Sequence, residues 1–318
     1  MPSISFSELK LPSPVSQLNS PLLSEKQVQL FIKRDELIHP VLQGNKWRKL
    51  KYNLIAANKT ARENRQNTIL SFGGPYSNHL HALAYAGKQF GFNTIGIVRG
   101  EQPQPINSCI QDMLNWGMQL NFIKRVDYKQ KTSPVFLQTL KEQFGDFYLI
   151  PEGGNNALGK KGCGELLDEL DQGYDVICCE VGSGTMLSSL IENSKNLQNN
   201  ILGFVVMKNI NIEIEIRNSI NPDNVKNNKW SLSHDYHFNG FAKASNELHQ
   251  FILNFKQQFN IQLEPVYSGK MLYGIFDLIK KDYFKPHSKI LALHGGGLQG
   301  LRGFSEYSEI NFENTKSP

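Results

Sequence analysis

Short apolar runs alternate along the chain with longer segments in which apolar residues recur at helical spacing. One such segment is 79–90, where Leu80, Leu83 and Ala84 share a face and Gly91 follows as a C-terminal cap. Runs with the β-branched and aromatic content of strands lie at 28–32, 68–72, 94–98, 147–150, 176–181, 201–207 and 290–293. Strands that alternate with helices predict an α/β fold with mostly parallel sheets and helices on both faces.

Length and composition narrow the class of protein. A chain of 318 residues is long enough for two domains or for one large α/β domain. Its 40% hydrophobic and 20% charged residues exclude collagen-like, coiled-coil and disordered proteins. No apolar run approaches the roughly 18 residues of a membrane-spanning helix. Residues 1–16 lack the basic and apolar regions of a signal peptide. We therefore expect a cytoplasmic protein without a membrane partner.

Charge and metal-ligand spacing point away from two further classes. The net charge is only +5 and the basic residues are scattered, so nucleic acid is not expected as a partner. His79 and His81 are two positions apart on a predicted helix and point in different directions, so no metal is expected. The cysteines show no C-x-x-C spacing and are expected to be buried, reduced thiols: Cys109, Cys163, Cys178 and Cys179.

The glycine-rich loop at 73–79 (GGPYSNH) is a candidate anion site. It follows a predicted strand and leads into a helix, with Ser77 or Asn78 at the N-cap position. Ligands of parallel sheets bind at the carboxyl ends of the strands, and the amides of a helix N-terminus favour an anion such as a carboxylate. An ordinary N-cap without a ligand is the alternative.

A second glycine-rich loop reads Gly182-Ser183-Gly184-Thr185 and also joins a predicted strand to an apolar helix. Two glycines, two hydroxyls and a helix N-terminus are typical of a phosphate-binding loop. Glu180, just before the loop, is an unfavourable neighbour for a phosphate. A plain strand-to-helix turn is the alternative.

Two other glycine motifs are not expected to bind nucleotides. Residues 154–161 have the G-x-x-x-x-G-K spacing of a P-loop, but Lys161 stands where a Ser or Thr must reach Mg²⁺. Residues 295–300 match G-x-G-x-x-G, but the sequence continues for only 18 residues beyond Gly300. That length is too short for the rest of a dinucleotide-binding unit.

The basic segment around Lys46, Arg48 and Lys49 lies at or just before the start of a predicted helix. Lys46 and Lys49 are three positions apart and would lie on neighbouring turns. Neighbouring ammonium groups disfavour each other's charged form, which favours a nucleophilic amine of the kind used in Schiff-base chemistry. A solvated basic helix face is the alternative.

Six motifs together resemble the 1-aminocyclopropane-1-carboxylate deaminase / D-cysteine desulfhydrase family, over about residues 31 to 304. This family belongs to the fold type II, tryptophan-synthase-β-like enzymes that use pyridoxal 5'-phosphate. The motifs occur in the family's order and are 44–50 (GNKWRKL), 71–79 (SFGGPYSNH), 151–156 (PEGGNN), 182–185 (GSGT), 264–271 (EPVYSGKM) and 294–300 (HGGGLQG).

The resemblance implies a set of cofactor-binding residues. Lys46 matches the lysine that bonds covalently to pyridoxal phosphate, and Lys49 matches a basic residue that helps to hold the phosphate. Asn78 matches an asparagine that hydrogen-bonds the hydroxyl of the cofactor ring. The remaining cofactor-binding positions are the phosphate loop and a position near the pyridine nitrogen: Gly182, Ser183, Gly184, Thr185 and Gly295.

The resemblance also implies substrate-binding residues. Ser77, Asn78, His79 and Tyr267 match positions at the substrate, and Lys46, Ser77 and Tyr267 match the catalytic ones. The chain departs from the family at three places, the mildest of which is Pro75 in the serine loop, where one backbone donor is lost. The family's phosphate loop usually reads Gly-Thr/Ser-Gly-Gly-Thr. In this chain the loop reads Gly182-Ser183-Gly184-Thr185-Met186, with only one glycine between the two hydroxyl residues. The family commonly has a threonine near the pyridine nitrogen, where Gly295 carries no side chain.

We therefore expect two open, twisted α/β domains in the fold type II arrangement. Residues 50–155 are predicted to form the smaller domain, with the Ser77-Asn78 loop. Residues 1–49 and 156–318 are predicted to form the larger one, with the phosphate loop and with Lys46 at the junction. The expected protein is a homodimeric deaminase or desulfhydrase that acts on a small amino acid and releases ammonia and a 2-oxo acid. A non-catalytic pyridoxal-phosphate-binding protein is the alternative.

Overall fold

The computed structural model describes residues 6–64, 66–194, 200–221 and 229–304. The chain divides into two compact units, which we name by their sheets. The four-stranded unit comprises residues 6–8, Lys49–Gly159 and 299–304 of the described chain. The six-stranded unit comprises Leu9–Arg48 and the described part of Lys160–Leu298.

The strands follow the predicted apolar runs and add three more polar segments. In chain order they are β1 Val15–Leu18, β2 Gln29–Lys33, β3 Thr68–Gly73, β4 Asn93–Arg99, β5 Gln119–Ile123, β6 Tyr148–Leu149, β7 Val176–Val181, β8 Asn200–Val205, β9 Trp230–Ser233 and β10 Lys289–Leu293. The runs did not predict β1, β5 or β9, because polar residues interrupt these strands and most of their side chains are only partly buried.

Helices separate most of the strands. They are α1 Pro21–Glu25, α2 Gly44–Asn64, α3 Asn78–Phe90, α4 Ser108–Asn115, α5 Arg125–Tyr128, α6 Pro134–Phe144, α7 Ala157–Asp168, α8 Thr185–Asn193, α9 Ile212–Ser219, α10 Asn246–Phe259 and α11 Ser268–Lys280. Short 3-10 helices lie at Asp35–Leu37, Glu152–Gly154 and Leu298–Gly300. Within the described ranges, no helix is both long enough and apolar enough to cross a membrane.

The six-stranded sheet has the order β1-β2-β10-β7-β8-β9 and is parallel except for β1. Both faces are covered, because successive residues of β7 pack into two different cores. Cys178 belongs to one core, while Ile177 and Cys179 belong to the other. The last strand, β10, lies in the middle between β2 and β7, and this order brings the segments that follow these strands to one edge of the sheet.

The four-stranded sheet has the order β5-β4-β3-β6, and all its strands are parallel. Helix α3 follows β3 and ends as predicted, since Gly91 adopts the left-handed conformation with φ 73°. Gly87 lets α3 lie close to the next strand, because a Cβ at this position would be 2.4 Å from Thr94 Cγ2.

The predicted α/β fold with mostly parallel sheets is confirmed. At both ends of the chain the units differ from the predicted division, because residues 6–8 and 299–304 group with the four-stranded unit. The contacts of residues 299–304 are the clearer case. Two side chains account for this grouping. Gln299 Nε2 donates to Asn78 Oδ1 at 2.6 Å, and Arg302 forms an ion pair with Asp112.

Candidate active site

Lys46 lies in the first turn of α2, where its ammonium group donates to Asn45 Oδ1. This turn packs closely on the segment after β10. Gly44 has φ 51°, and a Cβ here would lie only 2.2 Å from the carbonyl oxygen of Gly295. Asn45 N donates to that same oxygen at 3.3 Å. Because no side chain fits at position 44, the Gly-Asn-Lys sequence is what allows the lysine to be held at this edge of the sheet.

The G-x-G-x-x-G motif fastens the same turn from the other side. Gln43 Oε1 accepts hydrogen bonds from the amides of Gly297 and Leu298 at 2.9 and 3.0 Å. Gly296 has φ 78°, and a Cβ there would lie 2.6 Å from Gln43 Cβ. These glycines therefore serve close backbone packing, and the structure gives no support to a dinucleotide-binding role for them.

A buried ion-pair network anchors α2 two residues after Lys46. Arg48 pairs with both carboxylate oxygens of Asp35 at 2.7 and 2.8 Å and with both of Glu169 at 2.8 and 2.9 Å. Lys33 Nζ lies 2.8 Å from Glu169 Oε2. Burial disfavours the charged form of Arg48 and would lower its pKa. The carboxylates of Asp35 and Glu169 together have the larger effect, so the pKa of Arg48 is raised. Arg48 and Lys49 are only 2% and 6% exposed, so the alternative of a solvated basic face is wrong for them.

The phosphate-loop candidate joins β7 to α8. Gly184, the N-cap residue of α8, has φ 76° and has no side chain that could accept from the first-turn amides. Ser183 Oγ lies 2.9 Å from Thr185 Oγ1. The start of α8 thus presents backbone amides, two hydroxyls and the positive end of the helix dipole, which fits a phosphate group.

Tyr267 lies against this loop. A Cβ at Gly182 would be 3.1 Å from Tyr267 Cε1, so the ring packs closely against the backbone of this glycine. Glu264, which sequence reasoning missed, holds the Tyr267 segment: its carboxylate accepts from the amides of Val266, Tyr267 and Ser268 at 2.8, 2.7 and 2.6 Å. Burial raises the pKa of Glu264, although these donors oppose the rise. A glutamate just before a helix was the available signal.

Glu180 is also part of this cluster. Its side chain does not stand alone beside the phosphate loop, because Oε1 accepts from Asn45 Nδ2 at 3.3 Å. A Cβ at Gly295 would lie 2.1 Å from the same oxygen. The six-stranded unit therefore brings together Lys46, the 182–185 loop, Tyr267 and Gly295, as the predicted set requires, and adds Asn45, Glu180 and Glu264.

The four-stranded unit carries the other predicted residues. Ser77 caps α3, with Oγ accepting from Leu80 N at 3.2 Å, and Asn78 Oδ1 accepts from Gln299 Nε2. His79 is only 3% exposed, and its Nε2 lies 2.9 Å from Ser71 Oγ. The ring of His79 is therefore packed against β3, and its contact with a substrate stays a prediction.

Lys49 is buried within the four-stranded unit close to the 3-10 helix at Glu152–Gly154. A Cβ at Gly154, where φ is 67°, would lie 3.0 Å from Lys49 Cβ. The Lys49 carbonyl accepts from Asn53 Nδ2 at 2.7 Å. The glycine of the P-loop-like motif thus makes room for Lys49, and the role of Lys49 toward a phosphate stays a prediction.

A parallel α/β unit that holds a lysine amine, a phosphate-sized loop and a tyrosine at one sheet edge has the groups that pyridoxal phosphate requires: an amine for its carbonyl carbon and amides for its phosphate. The chain belongs to the family of pyridoxal-phosphate dependent enzymes, whose family model matches residues 8–296. The predicted family, fold class and cofactor class are confirmed.

Individual relatives agree with this assignment. A bifunctional D-cysteine desulfhydrase/1-aminocyclopropane-1-carboxylate deaminase, mitochondrial, of Arabidopsis thaliana is 28% identical over 95% of this chain and 80% of that protein. A D-cysteine desulfhydrase of Serratia proteamaculans is 25% identical over 86% of this chain and 88% of that protein. The crystal structure of an ACC deaminase homologue superposes with a TM-score of 0.80 at 24% identity, covering 96% and 95% of the two chains, which shows a shared fold.

Proposed function

We propose that this chain is a pyridoxal-phosphate-dependent enzyme that removes ammonia from a small amino acid, of the 1-aminocyclopropane-1-carboxylate deaminase or D-cysteine desulfhydrase type. The observation that carries the proposal is the cluster in the six-stranded unit. There Lys46, the 182–185 loop and Tyr267 meet at the carboxyl edge of the sheet. The relatives named above act on such substrates, and residues 8–296, which include all the proposed site residues, match their family.

The cofactor residues are proposed as follows. Pyridoxal phosphate, when bound, supplies an electron sink that stabilises negative charge on the substrate carbon. Lys46 would bond to it through Nζ, the amides of 182–185 would bind its phosphate, and Asn78 would donate to its ring hydroxyl. Lys49 is proposed to contribute positive charge toward the phosphate, and Gly295 to leave room beside the ring.

The chain's own groups then handle the proton and the substrate. In the desulfhydrase-type reaction, Lys46 Nζ is the base that takes the proton from the substrate's Cα, whereas the cyclopropane amino acid has no proton at this carbon. Asn45 Oδ1 orients the Lys46 amine through the hydrogen bond between them. Ser77 and Asn78 at the start of α3 bind the substrate carboxylate, because the helix N-terminus favours an anion. The Ser77 hydroxyl also assists Lys46 in the proton transfer. His79 supports that loop through its contact with Ser71 on β3. Tyr267 flanks the substrate and excludes water.

Two overall reactions are compatible with this machinery. D-cysteine and water would give pyruvate, ammonia and hydrogen sulfide, after loss of the Cα proton and of the sulfur substituent. The cyclopropane amino acid and water would give 2-oxobutanoate and ammonia, after ring opening. Both start from a small amino acid and end in a 2-oxo acid, so one product assay covers them.

The test is a product assay on the purified protein loaded with pyridoxal phosphate. D-cysteine, L-cysteine, 1-aminocyclopropane-1-carboxylate and a panel of D- and L-amino acids are supplied, and 2-oxo acid and ammonia are measured. We expect turnover of at least one of them, loss of turnover in Lys46→Ala, and unchanged turnover in Lys59→Ala. Lys59 lies on the same helix with its side chain 78% exposed, so it is a matched control.

The non-catalytic alternative predicts a different outcome. A protein that binds the cofactor through Lys46 but turns over no member of the panel would contradict the proposed function. Nothing in the structure or the comparisons favours this alternative.

The resemblance to the family implies that the proposed enzyme is a homodimer, and we propose that it works in the cytoplasm. Light scattering on the purified holoenzyme measures the oligomeric state, and a mass of 36.1 kDa, that of one chain, would contradict the dimer. Imaging or fractionation of cells that produce the tagged protein tests the compartment.

A further inference from the structure

Glu180 is a buried carboxylate for which the proposed machinery has no task. It stands near the carboxyl end of β7, two residues before the phosphate loop, and is 8% exposed. Asn45 connects it with the proposed covalent lysine, because Asn45 Nδ2 donates to Glu180 Oε1 at 3.3 Å and Asn45 Oδ1 accepts from Lys46 Nζ. Glu180 therefore lies in the same hydrogen-bonded chain as the amine that would hold the cofactor.

The place that Glu180 occupies depends on Gly295. A Cβ at residue 295 would lie 2.1 Å from Glu180 Oε1 and 2.7 Å from Asn45 Nδ2, so a side chain at 295 would displace this carboxylate from its place. The Glu180 side chain, which comes from β7, occupies the space beside the end of β10 that a side chain at residue 295 would fill. Gly295 has no side chain, and this absence makes room for the carboxylate of Glu180.

A carboxylate in this position has a specific chemical use. Burial of a carboxylate is unfavourable unless donors or a cation face it. The ring nitrogen of pyridoxal phosphate becomes a cation when it is protonated, and a carboxylate beside it favours that protonated form. Neither the phosphate nor the ring hydroxyl of the cofactor has a comparable use for an acid, because both carry or share negative charge.

We propose that Glu180 is the partner of the cofactor's ring nitrogen and keeps it protonated, with Asn45 orienting the carboxylate. Glu180 is thereby a catalytic residue, since it contacts the cofactor. The inference rests on the proposed cofactor site but not on which amino acid is the substrate.

The experiment compares two cofactors that differ only at the ring nitrogen. Pyridoxal phosphate and its 1-deaza analogue, in which C–H replaces the nitrogen, are titrated into the cofactor-free protein, and Kd is measured from absorbance. We expect the wild-type protein to prefer pyridoxal phosphate by roughly 10- to 100-fold, the size of a charge-assisted hydrogen bond. Glu180→Gln should lose most of this preference and bind the analogue as the wild type does.

Control variants separate a specific role from a general one. Glu36→Gln removes another buried carboxylate of the same unit, which pairs with Arg34, and should keep the wild-type preference. Gly295→Ala should displace the carboxylate and also reduce the preference, so the test does not depend on one variant. ¹⁵N NMR of labelled cofactor reads the same property directly, as a protonated ring nitrogen in the wild type and a neutral one in Glu180→Gln.

Each outcome decides the question. Equal weakening of both cofactors in Glu180→Gln would mean that Glu180 acts only through Lys46, and would overturn the proposal. An unchanged preference in Glu180→Gln, or a protonated nitrogen in that variant, would also overturn it. A wild-type protein that binds neither cofactor would instead contradict the proposed function.

Discussion

Helices α3 and α8 both begin just after a parallel strand, but their N-termini are capped differently. Each follows a glycine-containing turn at the carboxyl end of a parallel strand, β3 in one unit and β7 in the other. In α3 the hydroxyl of Ser77 accepts from Leu80 N, so the chain itself satisfies part of the helix end. In α8 the N-cap is Gly184 with φ 76°, so no side chain caps its first amides.

The difference indicates which anion suits each helix. An end without a side-chain cap keeps its hydrogen-bonding capacity for a group that remains bound, as the phosphate of a cofactor does. A capped end binds an anion less strongly, which suits a substrate carboxylate that must leave after every turnover. Helix α11 is a third case, because the Glu264 carboxylate accepts from the amide of its first residue, Ser268, and from the two amides before it.

The largest effect is expected at Gly184. In Gly184→Glu the new side chain meets a positive φ, a contact of 2.8 Å between its Cβ and Ile216 Cγ1, and the negative charge of the phosphate. We expect the folded protein to lose its cofactor on dialysis, as measured by absorbance and mass spectrometry. Gly173→Glu is the control, because Gly173 is exposed and has no atom within 4 Å of an added Cβ. Full cofactor retention in Gly184→Glu would place the phosphate elsewhere.

The next effect is expected at Ser77. Ser77→Ala should keep the cofactor, because Lys46 and the phosphate loop are untouched, but lower kcat/KM by roughly 10²-fold if the hydroxyl takes part in proton transfer. It should also cost about 1 kcal/mol of unfolding free energy as a lost cap. Turnover and the urea unfolding midpoint are measured on the same preparation.

Ser245 provides a matched control for Ser77. It caps α10 in the same way, with Oγ accepting from Leu248 N at 3.2 Å. Ser245→Ala should therefore lose a similar unfolding free energy with normal turnover. If Ser77→Ala behaves in the same way as Ser245→Ala, Ser77 is a structural cap and has no catalytic role.

A smaller effect is expected at Glu264. Glu264→Gln replaces an acceptor-only carboxylate with an amide that cannot accept all three backbone N–H groups, so the Tyr267 segment should loosen. We expect a loss of about 1–3 kcal/mol of unfolding free energy, with the cofactor retained and kcat/KM lowered on the order of 10-fold. Loss of the cofactor in this variant would contradict the prediction, because it would show that the Tyr267 segment is needed to hold the cofactor.

The smallest effect is expected on the pH dependence of stability. Burial lowers the pKa of His81 on α3, although Asp112 opposes this. The folded state therefore binds this proton less readily than the unfolded chain, and stability should fall as the pH drops below the ordinary histidine range of about 6.5. Urea midpoints at pH 7 and pH 5.5 should differ less in His81→Gln than in the wild type. An equal difference in both proteins would show that His81 is not responsible.

The sequence by itself determined the class of fold, the family and the class of cofactor. Runs such as those of β3 and β7 are long, apolar and followed by glycine, and local pattern is sufficient to predict them. The order of the six motifs was sufficient to indicate the family and its cofactor. Local spacing also placed Ser77 at the cap of α3, because an N-cap needs only residues a few positions apart.

Only the tertiary structure decided which residues far apart in the chain meet. The position of β10 between β2 and β7 brings Gly295 against Gly44 and Glu180, and nothing in the local pattern encodes that order. The same holds for Arg48, whose partners Asp35 and Glu169 lie on both sides of it in the chain. The order of the strands in a sheet depends on burying both faces at once, which is a property of the whole fold. The roles of Arg48, Glu180 and Gly295 could therefore be recognised only from the tertiary structure.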